Sequence, residues 1–269
     1  MTEQNLKIYL EKILNKYDKN LIVKNKYLIA VGSDPVGLLA HIDTAVPYPT
    51  EADLHYEKDG NYIWSDAGLG ADDRAGIYAI IDILTTTDFR PTIIFTTGEE
   101  KGGIGAKCLI NENPMPPTNL NFLIQLDRCG AMDCVYYDCE NVDFIEYIES
   151  FGFKEECGSF TDISIIAPVW KTAAVNLSVG YYNEHSLSEI LYLDILKRTI
   201  KKVKKILLDQ RKKPMAYEYI EKLEKCDICG KLCKNDYSRT VVLSQGRYLN
   251  VCLKCYWDYF GTKPDRIDV

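Results

Sequence analysis

Five short segments carry residue types that bind metals and move protons. In chain order they are His41-Ile42-Asp43, Gly70-Ala71-Asp72-Asp73, Thr97-Gly98-Glu99-Glu100, Leu126-Asp127 and Glu184-His185, and they hold two of the three histidines. Zinc or manganese takes imidazole nitrogens and carboxylate oxygens, and two ions held about 3.5 to 4 Å apart need at least one shared ligand. Asp72 follows a glycine-rich turn and precedes an expected helix, which suits a rigid bridging carboxylate. Asp127 and Glu100 can each complete one ion, and His41 and His185 can each add a nitrogen. Asp43 is spaced to orient His41, because a metal-bound histidine usually donates its other N–H to an oxygen. Glu99, beside Glu100, can accept a proton from an activated water and deliver it to a leaving group.

Each segment also has a plainer reading. Asp72 and Asp73 can cap a helix, Glu99 and Glu100 can be a solvated surface pair, Asp127 can form a turn, and His185 can be a surface or capping group. His55 has no acidic grouping of clear spacing and is read as structural. The weight lies in five segments agreeing at once.

Strands and helices must bring these residues together. Leu6, Tyr9, Leu10, Ile13 and Leu14 predict a helix over Glu3 to Lys16. Strands are expected at 28–31, 37–41, 62–65, 92–97, 121–127 and near 172–177, and helices at 73–84, 103–111, 142–152 and 186–208. This alternation implies an α/β layer fold in which polar residues at strand ends gather along one sheet edge. His41, the 97–100 segment and Asp127 all fall at such ends.

The chain has 269 residues and 46% hydrophobic content, enough for one sizeable domain and a small appendage. No apolar run is long enough to cross a membrane and residues 1–11 lack a signal-peptide core, so a cytoplasmic location is expected. The net charge of −7 argues against broad nucleic-acid binding. Residues 197–213 nevertheless hold nine basic groups against one acid, read as the wet face of a helix or a patch for an acidic partner.

The motifs Ala40-His41-Ile42-Asp43-Thr44, Leu69-Gly70-Ala71-Asp72-Asp73-Arg74-Ala75-Gly76, Thr96-Thr97-Gly98-Glu99-Glu100 and Leu126-Asp127, with His185 as a late histidine, resemble those of the co-catalytic zinc exopeptidases. That superfamily includes aminopeptidases, dipeptidases, tripeptidases and related amidohydrolases. The resemblance covers about residues 1–210. It implies a three-layer α/β/α domain with a mixed central sheet, one ion held by His41 and Asp127, another by Glu100 and His185, and Asp72 bridging them. It also implies Glu99 as general base and Asp43 as outer partner. The two ions would be zinc, with manganese or cobalt as alternatives. Only 57 residues separate Asp127 from His185, so the second domain that many relatives insert is not expected there. Arg128 can bind a peptide carboxylate or form a structural salt bridge. The segment 158–162 resembles a loop near the active site of several relatives.

Ten cysteines fall into two groups. Cys108, Cys129, Cys134, Cys139 and Cys157 are irregularly spaced and read as unbonded small hydrophobes. Cys226-x2-Cys229 and Cys252-x2-Cys255 are two knuckles separated by 22 residues, which predicts one structural zinc in a ribbon. Cys233 is an extra thiol that can serve as an alternative ligand. Residues 241–243 and 247–249 flank Ser244-Gln245-Gly246 as a hairpin would. Tyr237, Arg239, Arg247, Lys254, Tyr256, Trp257 and Tyr259 leave protein or nucleic-acid partners open, with packing of the ribbon favoured over both.

Two domains are expected: 1–212 as the di-metal catalytic domain, and 213–269 as a linker helix with the zinc-ribbon-like domain. The expected activity is that of a metal-dependent exopeptidase acting on short peptides. The alternatives are a deacylase of small N-acyl substrates, or a non-catalytic peptidase-like adaptor.

Overall fold

The computed structural model describes residues 1–17, 21–46, 53–57, 61–117, 119–234, 238–242 and 248–260. It divides into two compact units, residues 1–137 with 141–219 and residues 138–140 with 220–269.

The first unit runs α1 (Glu3–Leu14), β1 (Ile22–Val23), β2 (Tyr27–Ala30), β3 (Val36–His41), β4 (Leu54–Tyr56), β5 (Tyr62–Ser65), α2 (Ala71–Thr86), β6 (Thr92–Thr96), α3 (Ile104–Glu112), β7 (Phe122–Arg128), β8 (Asp133–Val135), α4 (Val142–Glu149), β9 (Lys154–Glu155), α5 (Asp162–Trp170), β10 (Ala174–Ser178), β11 (Tyr181–Tyr182), β12 (Ile190–Tyr192) and α6 (Leu193–Lys212). The main sheet has the order β1-β2-β6-β3-β7-β10-β8-β9. Its centre, β6-β3-β7-β10, is parallel, while β2 and β8 pair antiparallel at the flanks. Strands β3 and β6 are buried along their whole length, as parallel strands covered on both faces must be. Helices α3 and α5 cover one face, with Leu109, Ile163, Ile166 and Trp170 packed on Leu39, Ile94 and Leu123. Helices α2 and α6 cover the other. The result is the expected three-layer α/β/α arrangement around a mixed sheet.

Gly76 shows how tightly α2 lies on that sheet. A Cβ there would stand 1.9 Å from the Leu126 carbonyl oxygen, so only glycine lets the helix rest on the β7 backbone. The helix start, with Asp72 and Asp73, is thereby brought to the end of β7, where Asp127 waits.

Three expectations change. The late helix begins at Leu193 rather than Ser186, because Ile190, Leu191 and Tyr192 pair with Trp64, Ile63 and Tyr62 in a second sheet of order β11-β12-β5-β4. The β-prone triplet finds strand partners, and that tertiary pairing overrides helix continuation. Helix α5 was not anticipated: its β-branched residues and Pro168 argue against a helix, yet Thr161 and Ser164 form a capping box at its start. The linker helix expected after residue 212 is absent. Pro214 follows the end of α6, and the chain continues extended, with Tyr217 N–H donating to Asn121 O (3.0 Å) and Ala173 N–H to Tyr217 O (2.9 Å).

The second unit contains β13 (Leu223–Lys225), β14 (Leu232–Lys234), β15 (Ser238–Val242), β16 (Tyr248–Cys252) and α7 (Leu253–Phe260). β13 pairs antiparallel with β14 and β15 with β16. The second pair supplies the strands of the expected hairpin, whose Ser244-Gln245-Gly246 tip lies outside the described residues. Among the described residues no helix is long and apolar enough to cross a membrane.

Candidate metal centres

His41 ends β3, Asp127 lies at the end of β7, and Glu99 and Glu100 follow β6, so three parallel strands deliver their polar ends to one edge. Asp72 enters from the start of α2 and His185 from the β11–β12 loop, where its backbone is left-handed (φ 59°). His41 Nε2 lies 2.9 Å from Asp72 Oδ1 and 3.4 Å from Asp127 Oδ1. His185 Nε2 lies 3.2 Å from Asp72 Oδ2 and 3.0 Å from Glu100 Oε2. Asp72 therefore presents one oxygen to each of two ligand groups.

These contacts are informative about charge. His41 Nδ1 lies 3.0 Å from the Asp43 carbonyl oxygen, so in the neutral ring Nδ1 is the donor and Nε2 turns its lone pair toward two carboxylate oxygens. Such an arrangement attracts only with a proton or a cation between the atoms. The same holds for His185 Nε2 between Asp72 and Glu100. Ligands of one tetrahedral zinc, each about 2.0 to 2.1 Å from it, stand about 3.3 Å apart, and these separations fall on either side of that value. The residues fit two divalent cations sharing Asp72.

The acid–base balance points the same way. Burial, reinforced by the Asp127 charge, pushes the Glu99 carboxyl up to about 9. Burial lifts Asp127 to about 7 despite His41 beside it. Asp72 is held well below the usual range: burial raises it, but hydrogen bonds to His185 and His41 prevail. His185 is drawn up to about 9 by its hydrogen bond to Asp72, against the opposing effect of burial. Without metal, protons on the imidazoles and on Glu99 neutralise a site that is rich in carboxylates.

Supporting groups hold the ligands. The Asp43 carboxylate accepts Gly98 N–H (2.7 Å) and Glu99 N–H (3.2 Å) on Oδ1, and Glu100 N–H (3.3 Å) on Oδ2. It therefore fixes the turn that carries Glu99 and Glu100, while its carbonyl is the closer partner of His41. Asp73 faces the site but is committed to backbone, accepting His41 N–H (3.0 Å) and Gly76 N–H (2.9 Å). Glu189, fully buried, accepts Gly70 N–H (2.6 Å) and Asp72 N–H (2.9 Å). On Asp127, Oδ2 accepts Gln125 Nε2 (2.9 Å) and Thr161 Oγ1 (3.0 Å), and Oδ1 accepts the Tyr181 hydroxyl (3.2 Å). The 158–162 segment thus reaches the site through Thr161, and Asp162 beyond it accepts the Thr96 hydroxyl.

Nothing in the spacing of Glu189 and Tyr181 ties them to the candidate ligands, whereas Thr161 lies in the 158–162 segment whose resemblance to an active-site loop pointed to it. Gln125 did carry a signal, as a polar residue in an apolar strand two places before Asp127 and so on its face. His55 stacks on Trp64 (centroids 4.2 Å) and takes no part in the cluster. Arg128 makes no salt bridge among the described residues.

No family model and no curated protein sequence matches the chain. Solved structures do. A tripeptidase from Staphylococcus aureus superposes with TM-score 0.60 at 16% identity, covering 75% of this chain and 91% of its own. The aminopeptidase PepT of Bacillus cereus gives TM-score 0.56 at 17% identity, covering 74% and 91%. The chain shares the fold of these two peptidases. An aminopeptidase of the archaeon Desulfurococcus kamchatkensis shares it, with TM-score 0.56 at 14% identity over 76% and 89% of the two chains. The shared fold accounts for about three quarters of the residues.

In the second unit, the sulfur atoms of Cys226, Cys229, Cys252 and Cys255 all lie within 4.8 Å of one another. Cys229 and Cys252 Sγ are 3.8 Å apart, the spacing expected of thiolates each about 2.3 Å from one tetrahedral zinc. Backbone N–H groups of Cys229 and Cys252 hold the Cys226 thiol down to about 6, whereas burial and the surrounding thiols push Cys255 up to about 12. A cation would relieve that conflict. Cys233 stands outside the quartet, its thiol directed at the Glu224 carbonyl (3.4 Å). Of the basic and aromatic residues considered for partner binding, Lys254 and Tyr259 are exposed, and Tyr256 packs edge-on against Trp257. Tyr237, Arg247 and the side chain of Arg239 lie outside the described residues.

Proposed function

We propose that the chain is a two-metal exopeptidase acting on short peptides. The observation that supports this most is Asp72 lying between His41 and His185, with Asp127 and Glu100 completing two ligand groups and Glu99 beside them. His41, Asp72 and Asp127 would hold one divalent cation, and Asp72, Glu100 and His185 the other. Zinc is the first choice for this donor set, with manganese or cobalt as alternatives. When bound, the pair supplies Lewis-acid polarisation of the scissile carbonyl and acidifies water.

The chain's own residues do the rest. Glu99 removes a proton from the attacking water and returns it to the leaving amine. Its raised proton affinity in a buried, acidic setting suits the receiving role, and divalent charge nearby would bring it back toward neutrality. Asp43 keeps Glu99 in place through the backbone of the 98–100 turn. Gln125 and Thr161 fix one oxygen of Asp127, leaving the other directed at His41 Nε2. In this reading Cys226, Cys229, Cys252 and Cys255 hold one structural zinc.

The test is product analysis by mass spectrometry on a mixed peptide library, comparing the metal-reconstituted protein with Glu99→Gln. Release of single N-terminal residues, reduced about 10²-fold or more in the variant, is the expected result. Equal turnover by both proteins would remove Glu99 from the reaction. Cleavage of acylated amino acids but not of peptides would move the assignment to a deacylase.

A further inference from the structure

Arg128 is a cation beside the proposed site that no carboxylate among the described residues neutralises. It directly follows Asp127. Where β7 meets β10, Asn176 is opposite Gln125 and Ser178 opposite Arg128, so three steps along β7 match two along β10. An irregularity of this kind breaks the strict alternation that would send Arg128 to the face opposite Asp127. Its guanidinium donates from Nη2 to the Cys157 carbonyl (3.1 Å), in the segment leading to Thr161, whose hydroxyl holds Asp127. The Arg128 and Glu99 side chains both act electrostatically on the Tyr137 phenol.

The guanidinium is incompletely satisfied. Arg128 is half-buried, its Nε is buried without an acceptor, and it forms no ion pair among the described residues. Arg211 and Arg198, by contrast, face Asp34 and Asp194 at 2.7 and 3.0 Å. Asp127 is no counter-ion, since its oxygens are committed to Gln125, Thr161, Tyr181 and the metal cluster. A partly desolvated cation with five donors and one protein acceptor gains most from an arriving carboxylate.

We propose that Arg128 anchors a carboxylate of the substrate, so that the enzyme selects peptides with a negative charge close to the scissile bond. This rests on the exopeptidase reading. Two sources offer the same chemistry: the terminal carboxylate of a di- or tripeptide, and an acidic side chain on the residue released.

The experiment measures binding by calorimetry to metal-loaded Glu99→Gln protein, so that turnover does not interfere. Ala-Ala-Ala is compared with its C-terminal amide, and Glu-Ala-Ala amide with Gln-Ala-Ala amide. At least one comparison should favour the carboxylate by about tenfold or more. The first would identify the terminal carboxylate as the source, the second the side chain. Adding Arg128→Gln should bring that comparison to parity, and Arg128→Lys should restore part of it. No carboxylate preference in either comparison, a preference that survives Arg128→Gln, or no binding of any of the four peptides would overturn the proposal. The first comparison needs no Arg128 variant and so stands even if one misfolds. Hydrolysis of the same peptides by the unaltered protein separates the two readings. Turnover without carboxylate preference removes only the role of Arg128, whereas Arg128-dependent binding without turnover removes only the peptidase.

Discussion

The two units place their candidate metal-binding residues in opposite ways. In the first, the ligands stand at the ends of buried strands whose packing does not depend on them: β3, β6 and β7 are sealed by α2, α3 and α5, and the site is a consequence of that core. In the second, the apolar cluster among the described residues consists of Cys226, Val251 and Cys255 with a few half-buried neighbours, so the thiols are themselves the centre of the structure. A fold built first can hold a crowd of carboxylates that would otherwise repel one another, whereas a segment of about 50 residues with so small an apolar cluster would gain its stability from a metal at the proposed cysteine site.

The largest effect expected from this contrast is on removal of metal. Chelation, or Cys226→Ser, should unfold the second unit while the first keeps its structure, because structural zinc in such small domains contributes about 10 kcal/mol or more of folding free energy. Residue-resolved hydrogen exchange checks this: protection should vanish at residues 248–256 and persist along β3, β6 and β7. Simultaneous loss in both units would end the distinction.

A smaller effect should follow Glu189→Gln. The replacement puts an amide where two backbone N–H groups, of Gly70 and Asp72, now meet a carboxylate. A cost of about 1 to 3 kcal/mol is expected in the first unit, with weaker metal retention at Asp72 and no change at the cysteines. Thermal unfolding and metal titration would read the two consequences separately.

The smallest effect concerns a pair that belongs to neither ligand group. Asp34 accepts hydrogen bonds from Arg211 Nε (2.8 Å) and Nη2 (2.7 Å) and from Arg90 N–H (2.6 Å). Burial alone would raise its pKa, but these donors hold it below the usual carboxylate range. A group with a depressed folded pKa contributes its full stabilisation above the unfolded value, about 3.9, and loses it as pH falls through the folded value. The melting temperature of Asp34→Asn should therefore lie below that of the native chain at neutral pH, and the gap should narrow as pH falls below about 4 and close once pH is under the folded value. A gap independent of pH would show that the pair contributes through packing rather than charge.

Much of this was legible from spacing. Strand β3 reads as a continuous apolar run ending in His41, and α1 shows its buried stripe of Leu6, Leu10 and Leu14. Where local pattern and tertiary pairing compete, the pattern fails. Ile190 to Tyr192 reads as the middle of a helix until β5 is available to pair with it. Helix α5, with Pro168 inside it, carries no helical signature, and its start becomes intelligible only once Thr161 reaches Asp127. Asp43 was expected to orient His41, with either of its oxygen groups able to do so. The fold gives that contact chiefly to its carbonyl and uses the carboxylate to hold the 98–100 turn.

The ligand types, their order and the two cysteine knuckles belong to the sequence alone, because they depend on residue identity and short spacing. Only the tertiary structure decided that Asp72 lies between two imidazoles, that Glu189 fastens the turn before it and that Arg128 meets the Cys157 carbonyl. Each of these is a contact between segments distant in the chain. Such contacts exist only after helices and sheet have packed, and no local period encodes them.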